Sequence, residues 1–218
     1  MIALTEVGIT DADYAAAANG GPYVTIDSTG KHLTAPDASW QEPGANTFLV
    51  WAWCYKHGEP GAVRLPILSK YDTGVAADRA WYLDMNGADP LYATLGVYNA
   101  ALASLITITS TRLIPADAWA FVAGYFQPSM LMRVYAGLAV EVAVTINSLT
   151  SNVPASIQNG AAPFAVGARH ASGVVDTTNH FFGRIGMFKG VCNVPATCVD
   201  EHVARVFRSM RHYYADLA

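Results

Sequence analysis

Charge is scarce in this chain. Of 218 residues, 14% are Asp, Glu, Lys or Arg and 52% are apolar, whereas an ordinary soluble domain carries roughly 25% charged residues. So thin a polar shell implies that much of the surface expected of a lone domain is covered by something. The 13 basic residues are scattered and outnumbered by 17 acids, for a net charge of -4. That balance excludes a phosphate-tracking surface, which needs clustered Lys and Arg. Arg205, Arg208 and Arg211 form the only local excess and read as the solvated stripe of a helix.

Cysteine is equally rare. Cys54, Cys192 and Cys198 are too few for a disulfide framework and lack the second pair or paired histidine of a zinc site. Cys54 reads as a small buried hydrophobe; Cys192 and Cys198 are close enough to be bridged or, as expected without an export signal, free. The opening MIALTEVGITDADY has no basic start and no sustained apolar run. No stretch approaches the ~20 apolar residues that span a bilayer. The expectation is synthesis in a cytoplasm without an export address, and any outside role through a carrier such as a virion or another particle surface.

Catalytic motifs are missing too: there is no G-x-S-x-G elbow, H-E-x-x-H, phosphate loop or dinucleotide fingerprint. No enzyme and no cofactor are expected. The six histidines lie far apart; His170 and His180 flank the loop ASGVVDTTN and read as solvated polar residues.

What is present is the punctuation of an all-β protein. NGG at Asn19, EPG at Glu42 and Glu59, NGADP at Asn86, QPS at Gln127 and QNGAAP at Gln158 separate runs of strand length. Among these runs are Phe48 to Tyr55, Ala80 to Met85, Tyr92 to Tyr98, Trp119 to Phe126, Leu131 to Ala136, Val140 to Ile146 and Phe181 to Phe188. The segment AVEVAVTI alternates Val140, Val142, Val144 and Ile146 with Ala139, Glu141, Ala143 and Thr145, the pattern of a strand with one core face. NTFLVWAWCY does not alternate, because Phe48, Val50, Ala52 and Cys54 oppose Leu49, Trp51, Trp53 and Tyr55, which are just as apolar. Its second face must lie under a loop, under a helix or against a partner chain.

One helix is legible. From Thr197 onward Val199, Val203, Val206, Phe207, Met210 and Tyr214 recur at steps of three and four, and Thr197 with Asp200 has the spacing of a capping box. Its apolar stripe is expected on the sandwich or on a neighbouring subunit.

Read in order, the blocks KHLTAPDASW, NTFLVWAWCY, PILSKYDTGVAADRAWYLDM, IPADAWAFVAGYFQPSMLMRVYAGLAV, APFAVGARH and FFGRIGMFKGV resemble the LamG-like, concanavalin A-like lectin/glucanase superfamily. The likeness runs from Tyr23 to Tyr214, nearly the whole chain. It implies an all-β fold, a two-sheet antiparallel β-sandwich of jelly-roll type, with one C-terminal α-helix. Residues 1–22 are then a lead-in or arm, 23–196 the sandwich and 197–218 the helix.

The resemblance also directs attention to sites. Glucanases of the superfamily place paired carboxylates on one strand, as a retaining glycosidase requires; here Glu141 stands alone and Asp84 has no partner acid nearby on its own strand. Hydrolysis would need Asp84 and a distant second acid. Relatives often hold calcium at the sandwich rim, which makes Asp37, Asp72, Asp78, Asp176 and Asn179 the candidate metal ligands. Two family features are lost, however: Gly186 stands in place of the acid, and Ala136–Gly137 in place of the polar hairpin. For sugar, an exposed ring with hydrogen-bonding neighbours forms a shallow platform suited to multivalent display; Tyr71, Asp72, Trp81, Tyr98, Asn99 and His180 are the candidates. Two functional classes follow. One is a non-catalytic lectin-like binding or adhesion protein displayed on a particle such as a phage virion, as head decoration or tail. The other is a scaffold or decoration protein whose partners are copies of itself or other structural proteins. Neither involves nucleic acid or membrane insertion.

Overall fold

The computed structural model describes residues 4–58, 64–86, 91–99, 101–176 and 181–215. Its elements follow in chain order: β1 (Thr5–Val7), β2 (Tyr14–Ala16), β3 (Pro22–Ile26), β4 (His32–Ala35), β5 (Phe48–Lys56), β6 (Arg64–Tyr71), β7 (Arg79–Asn86), β8 (Leu91–Asn99), β9 (Ser104–Ile114), β10 (Trp119–Gln127), β11 (Leu131–Leu138), β12 (Thr145–Leu149), β13 (Phe164–Val166), β14 (His170–Ala171), β15 (Val174–Val175), β16 (Gly183–Cys192) and α1 (Val199–Tyr214). They form two seven-stranded antiparallel sheets, β1-β4-β13-β6-β7-β8-β9 and β12-β11-β10-β5-β16-β3-β2, with β14 and β15 as a separate small pair. This is the β-sandwich expected from the sequence. The described N-terminal residues are divided between the two sheets, since β1 pairs with β4 and β2 with β3.

The main core lies between the sheets. It takes Phe48, Val50, Ala52 and Cys54 of β5, Trp81, Leu83 and Met85 of β7 and Ala93, Leu95 and Val97 of β8. One residue in two therefore points inward, the period of a pleated strand. The opposite set on β5 is also buried: Leu49, Trp51 and Trp53 belong to a second cluster with Phe121 and Tyr125 of β10 and with Val199, Val203, Phe207 and Tyr214 of α1. Trp53 stacks on Phe207 (ring centroids 5.6 Å, 14°) and on Tyr214 (5.0 Å, 24°). The helix of this same chain is thus what covers the second face, and no partner is required there.

The helix end is locked. The Tyr214 hydroxyl accepts from the Met187 N–H at 2.7 Å and donates to the Pro22 carbonyl at 2.8 Å. A Cβ on Gly186 would come within 2.5 Å of that hydroxyl, so the tyrosine ring occupies the space where the resemblance leads one to look for an acid.

Two sequence expectations need correction. Residues Val140 to Val144 are not a strand: they form the turn between β11 and β12, whose pairing begins at Ala136–Thr145. Glu141 fixes that turn by accepting the Leu138 N–H at 2.8 Å and pairing with Arg112, so Val140 and Val142 stand exposed. The helix starts at Cys198 as N-cap, without a side-chain capping bond. Asp200 is drawn away from any cap by Arg133 Nη1 at 2.6 Å and the Tyr135 hydroxyl at 2.7 Å. All three cysteines are free thiols. No helix among the described residues is long and apolar enough to cross a membrane.

Trp53 has no exposed surface and contacts both sheet and helix. Trp53→Ala is therefore expected to lower unfolding free energy by about 3–5 kcal/mol. Urea denaturation measures this, and a change below about 1 kcal/mol would show that the helix does not depend on that ring.

Candidate functional site

The outer face of the first sheet is built by the residues that alternate with its core. On β7, Tyr82 and Asp84 point away from the sandwich between the inward-facing Trp81, Leu83 and Met85. The register puts Pro66 of β6 and Thr94 of β8 beside Asp84, and Ser69 and Gly96 beside Tyr82. Gly96 has a steric role: a Cβ there would lie 2.2 Å from the Tyr82 ring, so the phenol can lie down across β8 only because position 96 has no side chain. A further segment closes over the β6 side. β13 pairs with β6, and the Ser69 hydroxyl donates to the Ala168 carbonyl at 2.7 Å, which sets Arg169 and His170 against the sheet.

These residues form an alternating ladder of guanidinium groups and phenol rings. Arg64 lies 5.2 Å from the Tyr82 ring centre, Arg169 lies 5.5 Å from Tyr82 and 6.0 Å from Tyr71, and Arg79 lies 5.9 Å from Tyr71 and 5.5 Å from Tyr98. Tyr71 and Tyr82 meet edge to face at 5.2 Å. Cations over aromatic faces are worth about 0.5–2 kcal/mol each, more as water is excluded. Arg64 also donates through Nη1 to the Tyr82 hydroxyl at 2.5 Å and reaches Asp84 at 3.4 Å.

Burial makes the cluster electrostatically unusual. Asp84 has no solvent exposure, and burial pushes its carboxyl pKa up to about 7 against the opposing pull of Arg64 and Arg169. Burial likewise raises Tyr82 to about 12. The His170 imidazole is pushed down by burial, with Asp72 opposing. Two polar atoms in this cluster are buried without a hydrogen-bond partner, Asp84 Oδ1 and Arg169 Nε; His170 Nδ1, beside Asp72, is another. Native proteins leave few such atoms, and each calls for a structural or functional explanation; Trp53 Nε1 and the Tyr125 hydroxyl, under the helix, are further examples. Solvent reaches the cluster at Arg64, whose side chain is 27% exposed.

The residues singled out from the sequence have other fates. Trp81 is not an exposed platform: it is fully buried between the sheets, near Phe48 and Phe164, and donates its indole N–H to the Gln41 carbonyl at 3.0 Å. Tyr71 and Tyr98 lie on the outer face but are buried under arginines, and the Tyr98 hydroxyl is taken by the Ala103 carbonyl. Asn99 folds a turn by accepting the Ala101 N–H at 3.0 Å. His180 and Asn179 lie outside the described residues.

Asp72 accepts four backbone N–H groups, from Gly74, Val75, Ser172 and Gly173, at 2.7–3.0 Å. Burial opposes its ionisation, but these donors overcome that and hold its pKa below the ordinary value. Its oxygens staple two loops together and are not presented to a metal. Asp37 pairs with the fully buried Lys70, which also donates to the Ala162 carbonyl at 3.0 Å. Asp78 accepts the Ala161 N–H, and Asp176 is tied to Arg169 through the backbone. Among the described residues no three His, Cys, Asp or Glu side chains converge as a metal site would require. Sequence reasoning missed Arg64, Tyr82, Arg79 and Arg169, although the lone Asp84 amid apolar neighbours on a central strand was a usable signal.

A raised carboxyl pKa has a definite linkage sign. Between an ordinary value near 4 and about 7 the folded chain binds the Asp84 proton and the unfolded chain does not, so stability falls as pH rises through that window and levels off above it. Asp84→Asn should remove this contribution. Denaturation of both forms from pH 4 to 8 tests it; a wild-type minus variant difference that stays flat would mean Asp84 is already ionised at low pH.

No family model and no curated protein matches the chain. Solved structures do. The binding domain of Paraclostridial Mosquitocidal Protein 1 superposes with a TM-score of 0.64 at 10% identity, over 95% of this chain and 47% of the other. Tailspike protein 2 of an Escherichia coli O157:H7 bacteriophage gives 0.63 at 11%, over 95% and 26%. The Ruminococcus gnavus IT-sialidase CBM40 module, solved with α2,3-sialyllactose, gives 0.59 at 12%, over 85% and 96%. This chain thus spans about half the toxin domain, a quarter of the tailspike and nearly all of the CBM40 module. At such low identity the likeness concerns the fold alone: a two-sheet antiparallel β-sandwich.

Proposed function

We propose that this chain is a non-catalytic, lectin-like binding and adhesion protein of LamG-like type, carried on a particle such as a phage virion, with its saccharide site on the outer face of the first sheet. The observation that carries this reading is the Arg64–Tyr82–Asp84–Arg169 cluster, where ionisable groups are buried outside the main core with donors and acceptors left unused. A core gains nothing from such groups, because each unpaired polar atom costs about 1–3 kcal/mol. A ligand rich in hydroxyls would dock where solvent reaches this cluster, at the partly exposed Arg64. The sandwich of a sialyllactose-bound module and that of a tailspike share this architecture, which supports both the binding and the particle context.

Binding is favoured over cleavage because Asp84's electrostatic neighbours are Arg64, Arg169 and the Tyr82 hydroxyl, not a second carboxylate. Retaining and inverting glycosidases both need two acids flanking one bond. A second reading, scaffold or decoration protein without sugar binding, is favoured by exposed Val140, Val142 and Ile146 at the β11–β12 turn. They form an apolar surface suited to contact with copies of itself or with other structural proteins.

A glycan array probed with the multivalent protein tests the proposal, and sedimentation measures assembly in parallel. Saccharide binding lost in a Tyr82→Phe variant of native stability is the expected result. Silence across the array from a protein that self-associates would favour the scaffold instead.

A further inference from the structure

Resting on the saccharide-binding reading, the ladder further specifies the ligand: we infer that the outer-face site takes a saccharide bearing an anionic group, docked on the guanidinium of Arg64. Three arginines, Arg64, Arg79 and Arg169, line up along Tyr82, Tyr71 and Tyr98, in a chain whose net charge is -4. Cations are concentrated here against the overall sign.

The arginines are poorly neutralised. Arg79 donates to the carbonyls of Asp72 and Thr73, which are neutral groups. Arg169 is buried with its Nε unpartnered. Arg64 meets Asp84 through one nitrogen, Nη1, at 3.4 Å, while the same nitrogen makes its shorter bond to the Tyr82 hydroxyl. A guanidinium satisfied by its counter-ion presents two nitrogens to two oxygens; this one does not.

Asp84 and an incoming anion would therefore compete for Arg64, and the anion has the accessible side. Tyr82, laid flat over Gly96, holds Arg64 in place through its hydroxyl and its ring. Arg169, behind Tyr82, is a positioning residue: it lends positive potential in a site shielded from water without touching the ligand. Thr109, whose hydroxyl lies 3.1 Å from that of the buried Thr94 across β8 and β9 on the same face, offers a neutral partner for a sugar hydroxyl. A carboxylate on a sugar acid and a sulfate ester on a neutral sugar carry the same chemistry to Arg64.

The test uses matched glycans on one array: lactose, its α2,3-sialylated form and its sulfated form, at low and high salt. The expected result is about tenfold stronger binding of an acidic member than of lactose, the scale of a charge-assisted hydrogen bond, weakening as salt screens it. Preference for the sialylated form identifies a carboxylate; preference for the sulfated form identifies a sulfate. Arg64→Gln should abolish the preference and Arg64→Lys keep part of it. Asp84→Asn, which removes the competing carboxylate, should strengthen the acidic glycan relative to lactose. Lactose bound as well as its acidic forms overturns the anion inference and leaves the lectin reading intact. An acid preference unchanged in both a folded Arg64→Gln and a folded Arg64→Lys protein overturns the role of Arg64. Failure to bind any glycan removes both readings together.

Discussion

The structure depends on covering both faces of one strand. β5 is central in the second sheet, paired with β10 and β16, and both of its alternating sets are apolar. The inner set is covered by the first sheet. The outer set would expose Leu49, Trp51 and Trp53 to water if the helix did not lie across it, with Phe207 and Tyr214 against the Trp53 ring. Burying a large aromatic side chain contributes roughly 2–3 kcal/mol, and several are buried here at once. The low charge content follows: the centre of one sheet face, normally polar in a sandwich, is interior.

The two outer faces therefore differ in kind. The second sheet's is closed by aliphatic and aromatic packing with a hydroxyl latch at its end, where Tyr214 joins Pro22 to Met187. The first sheet's carries arginines, phenols and a carboxylate, with Asp84 protonating near neutrality. A helix-covered face and a face carrying a buried polar cluster lie on opposite sides of one core, so polar residues at the site can vary while the packing under α1 stays fixed. Fold and site are then separately adjustable, which suits an architecture that hosts many functions.

Much of the fold was legible in the sequence because strands have period two and their turns carry Gly, Pro and Asn. The long strands β5, β7, β8, β10 and β11 were all recognisable. Short strands such as β1, β2 and β4 escaped, being three or four residues long and paired on few positions. The segment at Val140 alternated convincingly yet is a turn, because Glu141 and Arg112 fix its backbone from outside the segment. The candidate site was harder. Tyr71 and Tyr98 were found, but as platforms rather than as ladder rungs, and Trp81 was placed on the wrong face because a tryptophan in a strand carries no label for inside or outside. Arg64, Arg79 and Arg169 come together from three separate elements, and only the sheet register makes them neighbours.

The helix that seals the aromatic side follows every described strand. Until it emerges from the ribosome, the nascent sandwich carries a broad greasy surface with nothing upon it. A product stopped short of Val199 would keep that surface permanently, and such surfaces drive partly made chains to clump. Burying that surface thus waits on the synthesis of α1.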